Sequence, residues 1–439
     1  MIKAVIMAGG KGTRVASVAP GIPKPMIPVN GKPVLEHQVE SLKKNSISEI
    51  IIVTGHLGHT IKDYFSDGKK YNCNISYYEE DTPLGSAGAL FKIQERLDDD
   101  FLLVNGDIIF DIDLSRFVEF HRGRAALATL AVHPNSHPFD SALLETDSES
   151  RVVSWLNKED PRKYYRNQVN SGLHILSKKL LEGASFPDEK VDLDRDILKP
   201  GVSTGKIFAY RTPEYIKDMG TPERYRQVEK DMKSGLVQKK NLANRQRAMF
   251  IDRDGTITTL DGFVTRPEQL VLADGAAAAV RMINESGFLA IVITNQPVIA
   301  RGECTVEELD EIHRKMETDL GFSGAYIDDI FYCPHHPDKG FAGERPEYKI
   351  ECECRKPEPG MLLAAAKKYN IDLSESYMAG DSNKDALAGL RAGCRPALIR
   401  AGRQHSAETV DDREAPVFGS LYDFVEQTLR AYGSADLCG

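Results

Sequence analysis

The chain has little of what marks secreted, membrane-bound or polymer-binding proteins. Nowhere do about eighteen apolar residues run uninterrupted, so no membrane-spanning helix is expected. The opening residues lack the charged segment and apolar stretch of a secretory leader, and a cytoplasmic location is expected. Basic charge is not in excess either. A net charge of -9 argues against a nucleic-acid or anionic-membrane surface and favours small anionic substrates. Cysteine is sparse: 7 in 439 residues, three of them crowded into one short stretch, do not make the disulfide framework of a small secreted domain. Internal repeats and low-complexity tracts are also missing.

What is present is enough apolar sequence, 41% of 439 residues, to fill two cores of about 200 residues each. β-Branched runs at 4–7, 50–54, 75–78, 101–104 and 127–132 alternate with helical patterns at 34–44, 86–96 and 114–121. Such alternation implies a parallel-rich sheet with helices on both faces and ligands at the carboxyl ends of its strands. A less regular stretch from about 133 to 210 holds strand-like 151–156 and 172–177, an inserted or antiparallel portion, and a helix at 222–233 closes the domain. The pattern restarts with strands at 248–252, 288–294, 327–332 and 376–380 and helices at 275–286, 306–319, 360–369 and 384–392. The expected fold is α/β with two doubly wound domains. Their expected limits are 1–232 and 248–402, with a polar linker or connecting helix at 233–247 and a C-terminal extension, 403–439, bearing a helix at 421–431.

Two segments carry phosphate chemistry. Gly9, Gly10 and Gly12 follow a buried strand, so the backbone can turn sharply and present N–H groups to a polyphosphate, with Thr13 and Arg14 adding a hydroxyl and a planar cation. Lys24, between Pro23 and Pro25, sits on a restricted backbone suited to a fixed phosphate. Taken singly, these are also an ordinary turn and a surface lysine, and Asp107 is also a helix cap. In the second half, Asp252 and Asp254 flank Arg253 at the end of an apolar strand and run into Gly255-Thr256. This arrangement suits covalent phosphoryl transfer, with Asp252 as nucleophile and Asp254 as acid and then base.

Gly9-Gly10-Lys11-Gly12-Thr13-Arg14, Pro23-Lys24-Pro25-Met26, Leu84-Gly85-Ser86-Ala87-Gly88-Ala89 and Asn105-Gly106-Asp107 follow one another as in the sugar-1-phosphate nucleotidylyltransferases, which the chain resembles across roughly 1–230. The resemblance implies a nucleotide-diphospho-sugar transferase-like, Rossmann-type domain. In that family a sugar phosphate attacks the α-phosphorus of a nucleoside triphosphate and releases pyrophosphate. It assigns Arg14 and Lys24 to the phosphates, Gly85 and Ser86 to the nucleotide, and Asp107 and Asp218 to Mg2+. Lys158 is assigned to the sugar phosphate, and Asn170 and Gly172 to the sugar. Asn157 stands where the family usually has glutamate.

The Asp252-x-Asp254-Gly255-Thr256 segment resembles the haloacid dehalogenase (HAD) superfamily, with Thr294-Asn295, Lys356 and Gly380-Asp381 in the expected order. The resemblance implies a HAD-like Rossmannoid domain. It assigns Thr294, Asn295 and Lys356 to the transferring phosphate and Asp252, the Asp254 carbonyl and Asp381 to Mg2+. Asp385 reads as a supporting or helix N-terminal charge. Ala300-Arg301-Gly302, Cys333-Pro334-His335-His336 and Cys354-Arg355-Lys356-Pro357 are similar to the heptose 1,7-bisphosphate and histidinol-phosphate phosphatases, with Arg301 and Arg355 facing substrate. Pro297 and Ser382 depart from that pattern.

Cys333-x-His335 and Cys352-x-Cys354 have the mirrored spacing of a tetrahedral structural Zn2+ site forming a zinc loop, with His336 as the alternative ligand; Cys73, Cys304, Cys394 and Cys438 are isolated. Together the resemblances imply a bifunctional enzyme. It would remove the 7-phosphate of a heptose bisphosphate and couple the 1-phosphate product to a nucleotide, GTP by analogy. The rivals are a histidinol-phosphate-type phosphatase joined to a hexose-1-phosphate nucleotidylyltransferase, and a phosphatase regulated by a non-catalytic nucleotide-binding half. Partners are expected to be nucleoside triphosphate and sugar phosphates, with no nucleic acid or membrane; homo-oligomers are common in both families.

Overall fold

The computed structural model describes residues 2–10, 21–182, 190–259, 262–403 and 405–435. Packing divides the chain into two units. The first comprises Met1–His133, Ala142–Asn157 and Gln168–Asn241; the second comprises Pro134–Ser141, Lys158–Asn167 and Leu242–Gly439.

In the first unit, strand Lys3–Met7 is apolar and fully buried at its three central positions, as a strand covered on both faces must be. It pairs in parallel with Glu49–Thr54 on one side and Asp100–Asn105 on the other, and Glu49–Thr54 pairs in parallel with Asn74–Glu79. Helix Val34–Lys44 makes the first crossover and buries Leu35, Val39 and Leu42 in one core with Ile6 and Ile50. The chain thus moves outward on one side of Lys3–Met7 and returns on the other. That reversal opens a crevice at the carboxyl ends of Lys3–Met7 and Asp100–Asn105.

Beyond Asp100–Asn105 the sheet turns antiparallel. Val169–Ser177 runs against both Asp100–Asn105 and Ala128–His133, and Leu143–Thr146 runs against Val152–Leu156. One expectation needs correction. The helix expected over 86–96 shrinks to Gly88–Lys92 and a 3-10 turn, Gln94–Arg96. The reason is a competing pairing: Ala87 N–H donates to the Val191 carbonyl at 3.0 Å and Val191 N–H to the Leu84 carbonyl at 2.9 Å. The polar stretch over 233–247, read as a linker or a connecting helix, contains helix Leu236–Lys239, seated by buried Leu236 and Val237, and Asn241 donates to Asp111 at 2.6 Å.

The second unit holds a parallel sheet of Asp329–Cys333, Leu289–Asn295, Ala248–Ile251, Tyr377–Gly380 and Arg395–Ile399. The order again reverses at the first strand in sequence, Ala248–Ile251, which opens a crevice between its end and that of Tyr377–Gly380. Residues expected as an extension after 402 belong to this sheet: Arg413–Phe418 pairs in parallel with Arg395–Ile399, and Ser406–Val410 forms the edge. Helix Leu421–Ala435 adds Leu421, Phe424 and Val425 to a core shared with Phe288 and Phe418. Segments Pro134–Ser141 and Lys158–Asn167 also belong to this unit; Tyr165 N–H donates to Thr318 Oγ1 at 3.0 Å on helix Val306–Phe322. Among the described residues no helix is long and apolar enough to cross a membrane.

Candidate active sites

The crevice of the first unit is a cavity of about 450 Å3 lined by Gly9, Gly10, Lys24, Gly85, Ser86 and Asp107, among others. Strand Lys3–Met7 delivers the glycines, and Gly106 N–H donates to the Met7 carbonyl at 3.0 Å, which fixes the Asn105-Gly106-Asp107 turn beside them. Lys24 opens the 3-10 turn Lys24–Met26 after an extended Pro23, and its largely buried amine ion-pairs with Asp107. Gly85 has φ +84°, and a Cβ there would lie 2.4 Å from the Val191 carbonyl oxygen, so glycine is required. Ser86 Oγ accepts from Leu193 N–H at 2.8 Å and donates to Asp192 at 3.3 Å, which braces this edge. Gly12, Thr13 and Arg14 lie outside the described residues.

Asp218 ends strand Tyr215–Asp218, which runs antiparallel to Ile108–Asp111, and Met219 N–H donates to the Asp107 carbonyl at 3.0 Å. The two acids therefore sit on neighbouring strand ends. Burial would raise the Asp218 pKa, but the Arg224 guanidinium, 2.9 Å from both carboxylate oxygens, more than offsets it and holds the group below its ordinary value. Asn170 donates to Asp194 at 3.3 Å, and Gly172 lies against the Asn105 side chain. Lys158 is not among the residues lining this cavity; it is exposed, pairs with Glu159 at 3.5 Å, and falls in a segment of the second unit. Strand Val152–Leu156 ends before it.

Two acidic groups here escaped sequence reasoning. Glu80 lines the cavity, and burial raises its pKa despite a hydrogen bond from Leu84 N–H at 3.4 Å. Asp194 is pushed up to about 6 by burial and then by the Asp192 charge. The signal for Asp194 was present only as an acidic cluster at 192, 194 and 196, which solvated surfaces also carry.

The crevice of the second unit gathers the expected phosphoryl-transfer residues. Asp252 follows strand Ala248–Ile251, and its N–H donates to the Ala379 carbonyl at 2.9 Å. Gly255 has φ +77°, and a Cβ there would meet Asp381 Oδ2 at 2.4 Å. Lys356 is buried, with Nζ 2.8 Å from Asp252, 2.6 Å from Asp385 and 2.8 Å from the Ile293 carbonyl oxygen. Reciprocal 3.0 Å hydrogen bonds between the Asn295 amide and the Lys356 backbone hold it there. Burial works against the Lys356 charge, yet Asp252 and Asp385 raise its pKa above the ordinary lysine value. Burial raises Asp252, against the pull of Lys356 and with a further push from Asp385.

Asp252, Asp381 and Asp385 each bring a carboxylate oxygen within 4.8 Å of the others. Asp385 therefore does more than charge a helix end, although its Oδ2 also accepts from Ser382 N–H at 2.9 Å in a capping box. Asp254, expected to reach the metal through its backbone carbonyl, keeps its carboxylate outside this side-chain trio. Its carboxylate turns to Arg253 Nε and Nη2, at 2.8 and 2.9 Å, and to Gln296 Nε2 at 2.9 Å. Thr294 Oγ1 accepts from the same Gln296 nitrogen at 2.8 Å. The Arg301 guanidinium lies between the Phe263 and Phe341 rings, 4.6 Å from each centroid. Arg355 donates to the His335 carbonyl at 3.1 Å.

Cys333, His335, Cys352 and Cys354 converge as the spacing implied, with Sγ–Sγ separations of 3.2–3.5 Å and His335 Nδ1 3.4 Å from Cys354 Sγ. Strand Asp329–Cys333 supplies the first ligand, and Gly360 N–H anchors the Glu353 carbonyl at 2.9 Å. His336 is not part of the cluster: its Nδ1 accepts from Asp338 N–H at 3.2 Å. Three thiols and an imidazole facing one point are a donor set compatible with zinc.

Comparison with known proteins divides along the same line. The nucleotidyl transferase family model matches residues 3–235, and the HAD-hydrolase-like model matches residues 353–424. The D-glycero-beta-D-manno-heptose-1,7-bisphosphate 7-phosphatase of Yersinia pestis is 41% identical over 162 residues, 37% of this chain and 84% of that protein. The mannose-1-phosphate guanylyltransferase of Mycobacterium tuberculosis is 31% identical over 240 residues, 54% of this chain and 66% of that protein. Among solved structures, HddC from Yersinia pseudotuberculosis shares 30% identity with a TM-score of 0.47, over 53% of this chain and 100% of its own.

Proposed function

We propose, from the premise that this chain belongs to the nucleotidyl transferase family through its first half and to the heptose-bisphosphate phosphatase family of HAD-like hydrolases through its second, that its two activities are consecutive steps in making a nucleotide-activated heptose. The observation that carries this reading is the presence on one chain of a Lys24–Asp107 cleft beside a glycine turn and of an Asp252–Asp254–Lys356 centre.

In the phosphatase step, an Asp252 carboxylate oxygen bonds to the 7-phosphate phosphorus and the bond to the sugar oxygen breaks. Asp254 gives its proton to that departing oxygen. Water then attacks the aspartyl-phosphate, Asp254 takes back a proton, and inorganic phosphate leaves with Asp252 restored. Lys356 and Thr294 hold the phosphoryl oxygens meanwhile. Asp252, Asp381 and Asp385 fit a hard divalent cation, being three carboxylates against the single Lys356 ammonium in a largely buried site. Mg2+ bound there would lessen the repulsion between carboxylate nucleophile and phosphate.

In the transfer step, the heptose 1-phosphate oxygen attacks the α-phosphorus of the nucleoside triphosphate and pyrophosphate departs. Gly9, Gly10, Lys24 and Arg14 neutralise the triphosphate, Gly85 and Ser86 bound the nucleotide, and Asp107 with Asp218 would hold Mg2+. Asn170 faces the sugar. Lys158 is assigned to the sugar phosphate in this reading. GTP is the nucleotide of choice, supported by the guanylyltransferase named among the relatives. Cys333, His335, Cys352 and Cys354 hold a structural Zn2+ that shapes the loop carrying Arg355. A cytoplasmic setting, where thiols stay reduced, suits that cluster.

The test is mass spectrometry of products after incubation with each anomer of heptose 1,7-bisphosphate, Mg2+ and each nucleoside triphosphate in turn. The expected product is a GDP-heptose formed with GTP alone. Heptose 1-phosphate with no nucleotide-sugar would leave the phosphatase and remove the coupled pathway; faster turnover of histidinol phosphate would remove the heptose.

A further inference from the structure

We propose that Arg253 and Gln296 form a clamp that positions Asp254 to protonate the leaving alcohol, and that Gln296 also sets the polarity of the Thr294 hydroxyl; this rests on the phosphatase reading above. Arg253 lies between the two aspartates in sequence, yet its side chain is fully buried. A buried guanidinium is costly unless paired, and an apolar residue would fill the same volume at less expense. Its hydrogen bonds go to Asp254 and Gln296, while Nη1 is buried with no partner among the described residues. Nε and Nη2 meet the two Asp254 oxygens at 2.8 and 2.9 Å, a side-by-side fork that fixes the plane of the carboxylate.

Gln296 closes the other side. Its Oε1 accepts from Arg253 Nη2 at 2.9 Å, and its Nε2 donates to Asp254 Oδ2 at 2.9 Å and to Thr294 Oγ1 at 2.8 Å. Arg253 alone forces the orientation of this amide, since a guanidinium only donates and the Gln296 oxygen must therefore face it. Two consequences follow for the chemistry. The acid is held out of the Asp252–Asp381–Asp385 trio, so it stays available to the leaving group. The Thr294 oxygen already accepts from Gln296, which leaves its own hydrogen to donate to a phosphoryl oxygen. Both residues act through others, as positioning residues.

Such a role has a signature that loss of structure lacks. An alkoxide leaves poorly without a proton, whereas p-nitrophenolate departs unaided, so misplacing Asp254 slows sugar phosphates far more than p-nitrophenyl phosphate. The measurement is kcat/KM, which reports formation of the aspartyl-phosphate and not its hydrolysis, for both esters in the full-length wild type, Gln296→Glu, Gln296→Met, Arg253→Lys and Asp254→Asn. Asp254→Asn defines the full selectivity change, on the order of 10²–10⁴-fold for a general acid. The clamp variants are expected to show about tenfold or more of it, with melting temperatures near wild type for the Gln296 pair. Equal loss on both esters, or none, in a folded Gln296 variant overturns the clamp while the phosphatase stands. A wild type that hydrolyses neither ester overturns the phosphatase reading itself.

Discussion

At the residue scale, each site sets a lysine against carboxylates: Lys24 on Asp107, and Lys356 on Asp252 and Asp385. Cations fixed in advance where charge develops need not reorganise during reaction. Lys24→Met is therefore expected to lower kcat/KM for nucleotide-sugar formation about 10²–10³-fold, with phosphate release from the bisphosphate unchanged. A second residue-scale effect concerns acid. His174 is buried on strand Val169–Ser177, and loss of hydration pushes its pKa down to about 4. Unfolded, it takes its proton near pH 6.5. Between those values the unfolded state holds a proton that the folded state does not, so stability falls as pH drops from about 6.5 toward 4, by up to about 3 kcal/mol. Trp155, the single tryptophan, is buried in the first unit and reports its unfolding. Urea titrations at pH 7.5 and 5, followed by this fluorescence, should show a drop in midpoint that His174→Leu reduces.

At the element scale, helix Val306–Phe322 turns acidic residues inward. Glu317 is buried and Asp310 partly so, and Arg166 pairs with both. His313, between them and fully buried, is held well below its ordinary pKa by burial and then by the Arg253 and Arg166 charges, so it stays neutral. Arg166→Met removes a cation from this buried face and is expected to destabilise the second unit by about 3 kcal/mol, the low end for breaking a buried pair. Calorimetric scans of the variant should show the second transition moving down alone. The loop bearing Cys352 and Cys354 has few buried apolar side chains of its own, so a zinc ion held by the four ligands would contribute to its order. Metal analysis is expected to find one zinc per chain, lost in Cys352→Ser together with turnover of the bisphosphate.

For the whole molecule, the last strands and helix are part of the second core. Deleting 403–439 would strip Phe418, Leu421, Phe424 and Val425 from the cluster that also packs strands Ala248–Ile251 and Leu289–Asn295. Phosphatase activity and the corresponding thermal transition should both vanish. The excised fragment 242–439 keeps that core but lacks Pro134–Ser141 and Lys158–Asn167, two of the three stretches that compose the unit. Its melting temperature is expected to fall below that of the same unit in the full chain.

The sequence alone determined the two reaction classes and both doubly wound patterns, because those features are local. A glycine turn or an Asp-x-Asp segment at a strand end sits at a sheet's carboxyl edge wherever the strand lies. The cysteine cluster was legible for a related reason, since paired short spacings bring ligands to a common point once one strand and one loop meet. Tertiary structure alone decided that Asp385 joins Asp252 and Asp381 in one carboxylate trio, and that Arg253 and Gln296 grip the Asp254 carboxylate. It also placed Glu80 in the first cavity and assigned Lys158 to the second unit. Those outcomes depend on residues far apart in sequence meeting with a given direction of side chain and degree of burial. Composition and periodicity record the type of a residue and its face, but not its partner.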